Sequence, residues 1–377
     1  MRPERLNILV VTPWFPSVAE PVSGTFVAEQ ARALAVVNNV SVMVAASGVG
    51  GIAPARLEDS PEFPFRVNRA VVAPRKALHL VSLAGAVAAE ARRVGCDLIH
   101  VHVTLPTGTA ACLAGSFARV PVVLTEHRSP FSDYLKTRRD RLKVRFTMRR
   151  ADAVIAVSSA LRETVQPWAG KRAIDVVSNV VDTEVFKYRP RVSQGGADKQ
   201  LLFVGRLNSH VKNVNSLLRA LKLLSDGRQC TYRLRLVGEG HLFGELREAA
   251  VELGVADQCE FLGFLDRESV AREMANCDLL VLPSLAETFG VVVAEALCVG
   301  RPVVATRCGG PEELVTLDSG LLVPPGDDAA LAEGIDAVCR DLDRYDGASI
   351  AKRASQRFAG PVIAQQLTRI YERVLAK

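Results

Sequence analysis

Two carboxylates, Glu287 and Glu295, are separated by seven residues in the segment that follows the apolar run 279–282. The pattern predicts a strand, a loop and a helix in succession, and a helix begins with unpaired backbone N–H groups that can bind an anion. We expect the backbone of 288–292 to provide these groups. Glu287 falls in the loop, where it can accept hydrogen bonds from hydroxyls of a sugar-like ligand. If the intervening residues are helical, Glu295 lies about 12 Å further along, and the two acids contact different parts of one extended ligand.

The competing interpretation of these two acids is structural. Glu287 would then be a favourable first-turn acid and Glu295 an exposed helix residue. Glu295 is, however, the only charge in a segment whose neighbours are valine, alanine and leucine. A nearly all-apolar helix is expected to be buried, so a carboxylate within it needs a partner.

Two cations, Arg206 and Lys212, follow another apolar run at 200–204 and the flexible residue Gly205. Gly205 permits close approach of a ligand to the backbone, and two cations in one site can neutralise a diphosphate. The alternative is that both are solvated surface groups, which is the usual position of lysine and arginine.

A Gly-x-Gly-x-x-x-Gly turn begins at Gly238, directly after the run 232–237. A nicotinamide-dinucleotide site is disfavoured, because the last spacing differs and the turn follows the second strand of its domain rather than the first. The alternatives left open are a phosphate- or ribose-facing loop and a plain tight turn.

In the first half of the chain, Gly24 lies between the opening apolar run and the first helical pattern, where the backbone can approach an anion. His102 and the Thr125-Glu126-His127 triplet end two further predicted strands. A lone histidine is more often structural than catalytic. No trio of histidine, cysteine or carboxylate has the spacing of a metal site, so we expect neither a metal nor another cofactor.

The elements that must position these residues are short, strongly apolar runs alternating with helical patterns along the whole chain. Such runs are typical of parallel strands covered by helices on both faces, and they predict two doubly wound α/β domains. The hydrophilic stretch 182–199 contains proline, serine and glycine without periodicity, which predicts the domain boundary there. We expect a first domain at 1–185, a second at 186–357 and a final helix at 358–377 with Pro361 in its first turn.

Composition excludes several classes of protein. The 377 residues are 49% hydrophobic and 23% charged, a balance typical of a globular chain. No apolar run approaches the roughly 20 residues that a membrane-spanning helix needs. The apolar stretch near the N-terminus is too short for a signal peptide, and the eight cysteines contain no Cys-x-x-Cys pair. We therefore expect a cytoplasmic protein whose cysteines are reduced core residues.

Positive charge is concentrated in the first half: the formal net charge of +6 divides into +7 for 1–185 and −1 for 186–377. Residues 134–150 hold eight of these cations and one acid, with helical spacing of leucine and phenylalanine. One hypothesis is a basic amphipathic helix that contacts an anionic membrane at the inner face; the other is a solvated helix face. Nucleic acid is disfavoured, because few aromatic residues interleave the cations. The membrane-surface candidates are Arg138, Arg139, Arg141 and Lys143.

Together these motifs resemble glycosyltransferase family 4, the retaining nucleotide-sugar transferases of the GT-B fold. The Glu-x7-Glu motif is present as Glu287 and Glu295, and the Gly-Arg-x5-Lys element as Gly205, Arg206 and Lys212. Asn213 stands where the family usually has a glycine after the lysine. The Phe289-Gly290 pair, the Gly238 and Gly240 turn, residues 156–158 and 179–182, and Phe186 also fall in the expected order.

The resemblance implies two Rossmann-like domains facing a central cleft, the first binding the acceptor and the second the sugar donor. Arg206 and Lys212 would hold the donor diphosphate, Glu287 the sugar hydroxyls and Glu295 the ribose. Gly24 would approach the phosphates from the opposite domain, His127 would lie at the sugar face, and Phe264 and Leu265 near the nucleobase. The implied catalytic residues are Glu287, His127, Arg206 and Lys212. The implied donor-binding residues are Gly24, Gly205, Arg206, Lys212, Gly238, Phe264, Leu265, Glu287, Thr288, Phe289, Gly290, Val291 and Glu295.

The activity implied is metal-independent, retaining hexosyl transfer from a nucleoside diphosphate sugar, in polysaccharide biosynthesis or onto a lipid-linked glycan precursor. Two alternatives remain open at this point: a nucleotide-sugar epimerase of the same fold, which needs no acceptor, and a non-catalytic nucleotide-sugar binding protein.

Overall fold

A computed structural model describes residues 5–47, 56–58, 63–72, 79–191, 198–225 and 231–377. The chain divides into two compact units. Unit 1 comprises Met1–Val180 together with Gly360–Lys377, and unit 2 comprises Val181–Ala359. The first crossing between units thus falls at Val180, a few residues before the stretch whose composition predicts a boundary.

Unit 1 is built around one sheet of eight strands with the spatial order β3-β4-β2-β1-β5-β6-β7-β8. Neighbouring strands pair in parallel except β3 and β4, which are antiparallel. Its strands are β1 (Asn7–Thr12), β2 (Asn39–Ser47), β3 (Arg56–Glu58), β4 (Arg66–Val72), β5 (Leu98–His102), β6 (Val122–Glu126), β7 (Ala153–Ala156) and β8 (Asp175–Val176). Its first helices are α1 (Thr25–Ala35), α2 (His79–Val94), α3 (Thr109–Ala118), α4 (Arg138–Arg150) and α5 (Ser159–Ala169).

Unit 2 has a six-stranded, fully parallel sheet with the order β11-β10-β9-β12-β13-β14. Its strands are β9 (Lys199–Val204), β10 (Tyr232–Val237), β11 (Cys259–Gly263), β12 (Leu279–Leu282), β13 (Val303–Thr306) and β14 (Gly320–Val323). Its helices are α6 (Val214–Ser225), α7 (Phe243–Glu252), α8 (Arg267–Asn276), α9 (Val291–Val299), α10 (Asp328–Arg340) and α11 (Gly347–Phe358). The chain then returns to unit 1 as α12 (Gly360–Leu375).

The prediction of two doubly wound α/β domains is therefore confirmed. In each sheet the strand order reverses next to the first strand, between β1 and β5 in unit 1 and between β9 and β12 in unit 2. Ligands of doubly wound sheets bind at such reversal points, outside the carboxyl ends of the strands. Gly24 follows β1, Lys212 follows β9 and Glu287 follows β12, so these candidate residues lie in segments next to the reversal points.

Helix α12 is part of the core of unit 1 rather than an appendage. Ile363, Leu367 and Tyr371 are fully buried in the same cluster as Ile8 of β1 and Val27 of α1. Burial of an aliphatic side chain of this size contributes about 1.5–3 kcal/mol, so α12 supplies a substantial part of that core. The sequence predicts this helix from 358, whereas Phe358 ends α11 and α12 begins at Gly360.

The cysteines in the described ranges form no disulfide: five are buried and two are half-buried. Burial raises the pKa of the Cys96 thiol to about 11 and that of Cys277 to about 12, so these thiols stay protonated. Cys230 lies outside the described residues.

Candidate active site

The centre of the candidate site is an ion pair at the point where the strand order of unit 2 reverses. Lys212 Nζ lies 2.5 Å from Glu287 Oε1. Lys212 ends a short 3-10 turn (His210–Lys212) after β9, and Glu287 lies in the loop after β12. The structure thus brings together two of the predicted residues that are 75 positions apart in the chain.

The loop that holds Glu287 is fixed by backbone hydrogen bonds on both sides. The Glu287 N–H donates to the Cys308 carbonyl (3.0 Å), and the Gly310 N–H donates to the Glu287 carbonyl (2.8 Å). The Leu285 N–H donates to the Val211 carbonyl at 2.7 Å, which ties this loop to the turn that ends at Lys212. Both side chains are therefore presented from a rigid frame, as a binding site requires.

Glycines shape the edge of the sheet beside this ion pair. Gly238 has a φ of +140°, and a Cβ there would overlap the carbonyl of Gly205. A Cβ at Gly205 would lie 2.9 Å from the Phe203 ring and 3.8 Å from Lys212 Cε. The N–H of Gly205 donates to the Val237 carbonyl at 3.0 Å. The two glycine turns therefore pack directly on one another, which side chains at these positions would prevent.

Arg206 and Asn213 occupy contrasting positions in the same turn. The Arg206 side chain is exposed and, within the described ranges, makes no hydrogen bond or ion pair. Asn213 adopts the left-handed conformation, with a φ of +50°. Asparagine tolerates that conformation better than most residues, which explains how it replaces the usual glycine.

Helix α9 begins within the 288–292 segment, where the sequence predicts a helix N-terminus. Gly290, with a φ of +88°, precedes the first helical residue Val291, and no side chain caps the helix. Residues 287–290 are therefore not helical, and the helical estimate of the separation between Glu287 and Glu295 does not apply. Thr288 and Val291 are half-buried, as is Glu295 in the second turn of α9, and Phe289 is buried with its ring edge-on to Phe358 at 5.8 Å.

Phe264 and Leu265 follow β11 on the far side of the Gly238 turn. Phe264 is 41% exposed and Leu265 is half-buried. The N–H of Gly238 donates to the Gly263 carbonyl at 2.8 Å, which joins the two turns. An exposed aromatic ring beside a glycine-lined turn is suited to stacking on a planar group.

In unit 1 the structure brings His127 next to the start of α1. Its ring lies 4.7 Å, centroid to centroid, from the ring of Phe26, two residues after Gly24. Gly24 has a φ of +67°, and a Cβ there would overlap the backbone of Trp14. His127 Nε2 and His102 Nδ1 are 2.9 Å apart. Burial lowers the pKa of His127 to about 3, so the ring is neutral near neutral pH.

Sequence reasoning missed several buried groups around His127. His100 bridges the Tyr371 hydroxyl of α12 and the Thr125 hydroxyl, each at 2.7 Å. The sequence does contain a signal for His100. It lies two residues before His102 on the same strand, so both side chains are on one face of the sheet.

Glu126 is fully buried but well satisfied. Its Oε1 accepts the N–H groups of His127 and Arg128, both at 2.8 Å, and its Oε2 accepts the N–H of Thr104 at 2.9 Å and the Thr104 hydroxyl. Burial raises its pKa, and these hydrogen bonds oppose that shift. Thr104 follows Val103, whose φ of +65° is strained for a β-branched residue. No local sequence pattern predicts that strain.

The basic helix α4 buries residues other than the leucine and phenylalanine whose spacing marks it as amphipathic. It begins after Thr137, whose hydroxyl accepts the Asp140 N–H at 3.1 Å, and it buries Val144, Thr147 and Met148. Leu142 and Phe146 instead face solvent, at 68% and 40% exposure. The four membrane-surface candidates are all exposed; Lys143 pairs with Asp140 at 3.0 Å, and Arg141 Nε donates to the Leu135 carbonyl at 2.7 Å.

Across the described ranges, no helix combines the length and apolar character needed to span a bilayer. Nor does any group of three or more histidine, cysteine or acidic side chains in those ranges have an arrangement suited to a metal ion.

Comparison with known proteins decides the family. Residues 23–185 match the family described as Glycosyltransferase Family 4, and residues 185–355 match that described as Glycosyl transferases group 1. A 2-deoxystreptamine glucosyltransferase of Streptomyces kanamyceticus is 32% identical over 276 residues, covering 66% of this chain and 70% of that protein. The chain belongs to glycosyltransferase family 4. The resemblance in its motifs is therefore confirmed, and the enzyme is a glycosyltransferase.

Two further similarities cover nearly the whole glycosyltransferase. A phosphatidyl-myo-inositol mannosyltransferase of Mycobacterium leprae is 28% identical over 387 residues, covering 99% of this chain and 90% of that protein. The crystal structure of Anabaena Alr3699/HepE in complex with UDP-glucose matches with a TM-score of 0.75 and 25% identity, covering 98% of this chain and all of that one. The predicted GT-B fold, with its two parallel-sheet α/β domains, is confirmed.

Proposed function

We propose that this glycosyltransferase moves a hexosyl group from a nucleoside diphosphate sugar to a glycan or lipid-linked acceptor, with retention of configuration. The observation that supports this most directly is the Lys212–Glu287 pair, which places a cation and a hydroxyl-binding carboxylate 2.5 Å apart beside two glycine turns. A sugar diphosphate needs both groups at adjacent positions. The likeness to a structure described as containing UDP-glucose supports the same donor class.

Each part of the donor has a candidate partner in unit 2. Arg206 and Lys212 bind the diphosphate, and Glu287 accepts hydrogen bonds from sugar hydroxyls. Glu295 binds the ribose, and Phe264 with Leu265 contacts the base. Fixed cations and the uncapped N-terminus of α9 stabilise the negative charge that develops on the leaving nucleotide.

Proton transfer in this proposal needs no side-chain base. A phosphate oxygen of the departing nucleotide takes the proton of the acceptor hydroxyl as the new glycosidic bond forms on the same face. His127 is poorly suited to act as such a base, because burial lowers its pKa to about 3. We propose metal-independent transfer, since Arg206, Lys212 and the helix N–H groups supply the charge stabilisation.

The test begins with a donor panel: UDP-glucose, UDP-N-acetylglucosamine, GDP-mannose and ADP-glucose, each compared with its nucleoside diphosphate by thermal shift. A ligand that binds the folded state raises the melting temperature. Release of nucleoside diphosphate is then measured with and without acceptor glycans. Acceptor-dependent release supports a transferase; an epimerase converts the donor without acceptor, and a binding protein turns nothing over.

Replacement of the central cation checks the assignment of the site. Lys212→Ala is expected to lower turnover by about 10²–10³, by analogy with removal of one transition-state contact. Lys352→Ala removes an exposed lysine from α11 of the same unit and is the matched control. Near-normal turnover of Lys212→Ala would refute the proposed diphosphate site.

We further propose that α4 places the enzyme on an anionic membrane at the cytoplasmic face, where a lipid-linked acceptor resides. Leu142 and Phe146 lie one turn apart on the exposed side of the helix. The cations nearest to them around the helix axis are Arg138, Arg139, Arg149 and Arg150, all exposed. Two solvent-facing apolar residues ringed by arginines favour insertion at a headgroup boundary over simple solvation. A cation near such a surface contributes about 1 kcal/mol.

Vesicle flotation tests this second proposal. Replacing Arg138, Arg139, Arg141 and Lys143 by Gln is expected to abolish binding to phosphatidylglycerol vesicles at low salt, because the attraction is electrostatic. The matched control removes four exposed cations of unit 2, Arg247, Arg344, Lys352 and Arg353, with the same change in net charge. Equal loss in both variants would indicate a general charge effect, and unchanged binding of the α4 variant would refute membrane docking.

A further inference from the structure

Ser284 lies beneath the ion pair of the proposed donor site. It follows β12 and Pro283, and its side chain is fully buried. Its hydroxyl donates to Glu287 Oε1 at 2.8 Å. None of the sequence motifs assigns this serine a role.

The two oxygens of Glu287 have different surroundings. Oε1 receives two donors, the Ser284 hydroxyl at 2.8 Å and Lys212 Nζ at 2.5 Å. Within the described part of the chain, Oε2 receives no hydrogen bond, and the side chain keeps 11% of its surface exposed. The carboxylate is thus anchored by one oxygen, and the other remains available to a ligand.

The serine is itself held in place. The Thr306 hydroxyl, at the end of β13, donates to the Ser284 carbonyl, and Thr306 is also buried. Ser284 therefore has little freedom to move away from Glu287. Lysine, in contrast, has four rotatable bonds in its side chain and allows a range of positions for any group it pairs with.

We infer that Ser284 is a positioning residue, which fixes the Glu287 carboxylate so that Oε2 meets the sugar of the donor. This inference rests on the proposed function of the site. Without the serine hydroxyl, Glu287 would keep only the flexible Lys212 as an anchor for Oε1. A hydroxyl-binding carboxylate that is free to rotate loses part of its affinity for sugar, because the ligand must then bear the cost of ordering it.

The measurement that isolates this role is sugar discrimination, the ratio of affinities for a nucleotide sugar and for its nucleoside diphosphate. It is measured calorimetrically on the full chain with UDP-glucose against UDP, and in the same way for UDP-N-acetylglucosamine, GDP-mannose and ADP-glucose. Ser284→Ala is expected to lower the discrimination about tenfold, the range of one hydrogen bond to a charged group, and to leave affinity for the diphosphate within about twofold. Ser284→Cys keeps nearly the same volume but donates a hydrogen bond only weakly. Its discrimination is expected to lie between that of the unaltered enzyme and that of Ser284→Ala.

Two further variants separate positioning from loss of stability. Ser319→Ala removes a buried hydroxyl of the same unit that donates to the Thr316 carbonyl and not to Glu287. It is therefore expected to lower the melting temperature and to keep the discrimination. In a Glu287→Ala background, Ser284→Ala is expected to cause no additional loss, because the group it positions is absent.

The results that overturn the inference are distinct from those that overturn the proposed function. Discrimination unchanged in both Ser284→Ala and Ser284→Cys refutes the positioning role, as does an equal loss of discrimination in Ser319→Ala. A full further loss in the Glu287→Ala background also refutes it. If the unaltered enzyme binds none of the four sugars better than its diphosphate, the sugar site itself is refuted, and the inference falls with it.

Discussion

Acidification is expected to destabilise unit 1 through its three buried histidines. His100, His102 and His127 are all within hydrogen-bonding distance of other side chains, and burial lowers the pKa of each. The pKa of both His100 and His127 falls to about 3. Between that value and the ordinary pKa of about 6.5, the unfolded chain binds protons that the folded chain does not. Stability is therefore present above the ordinary pKa and is lost as the pH falls through this window.

The size of the effect follows from the same linkage. Lowering the pH from about 7.5 to about 5.5 costs about 1.4 kcal/mol for each histidine that stays neutral when folded. Three such residues cost at most about 4 kcal/mol. Glu126, whose pKa is raised by burial, acts in the opposite direction and offsets part of this loss. A loss of this size is a large fraction of the 5–15 kcal/mol that typically separates folded from unfolded protein. The contribution of a single histidine, about a third of the total, is therefore large enough to measure.

Urea denaturation at the two pH values provides the assay, with far-UV circular dichroism as the signal. His102→Gln is expected to remove about 1.4 kcal/mol of the pH-dependent loss. Val87→Ala destabilises the same unit by a cavity without removing a titrating group, so it is expected to keep the pH dependence of the unaltered protein. If His102→Gln and Val87→Ala lose stability in parallel at both pH values, the histidines are not the source of the acid sensitivity and the reasoning is wrong.

Two further predictions concern the packing of unit 1. Tyr371→Phe removes the hydroxyl that lies 2.7 Å from His100 and is expected to lower the free energy of unfolding by about 1–3 kcal/mol, whereas Tyr188→Phe, at an exposed position, is expected to change it little. Gly24→Ala would force a Cβ into the backbone of Trp14 at a φ of +67° and is expected to lower the free energy of unfolding by at least about 2 kcal/mol. Gly85→Ala, in open space on α2, is expected to raise it by about 0.5–1 kcal/mol. Urea denaturation measures all four variants, and equal effects within either pair would contradict the contacts described.

The fold could be predicted from sequence because it depends on a simple repeat. Parallel strands buried on both faces need continuous apolar runs, and such a run identifies β12 with its observed bounds. The three-residue strand β3 escaped prediction, because an antiparallel edge strand pairs on one side only and needs no such run. The form of the loop 287–290 could not be predicted, since it follows from pairing with residues 308–310, far away in sequence.

The candidate site was predictable only as far as its charged residues. Lys212 and Glu287 stand in recognisable motifs, and their contact follows from the order of β9 and β12 in the sheet. Ser284 and Thr306 do not stand out, because a buried hydroxyl has meaning only through the neighbour to which it donates. The exposure of Leu142 and Phe146 was likewise not evident, since their spacing fits an inward face equally well and tertiary packing selects Val144 and Met148 instead.

The position of α12 affects how the protein is made. Unit 2 is one continuous stretch of the polypeptide, whereas unit 1 is completed by a helix that is translated only after the whole of unit 2. While the ribosome is still adding residues before Gly360, the surface that receives Ile363, Leu367 and Tyr371 has nothing to cover it. Unit 2 can therefore complete its folding during synthesis, whereas unit 1 can do so only after α12 has been translated. A nascent chain of this kind exposes an apolar surface for the time that it takes to translate almost half of its length. This is the interval in which a chaperone would bind it.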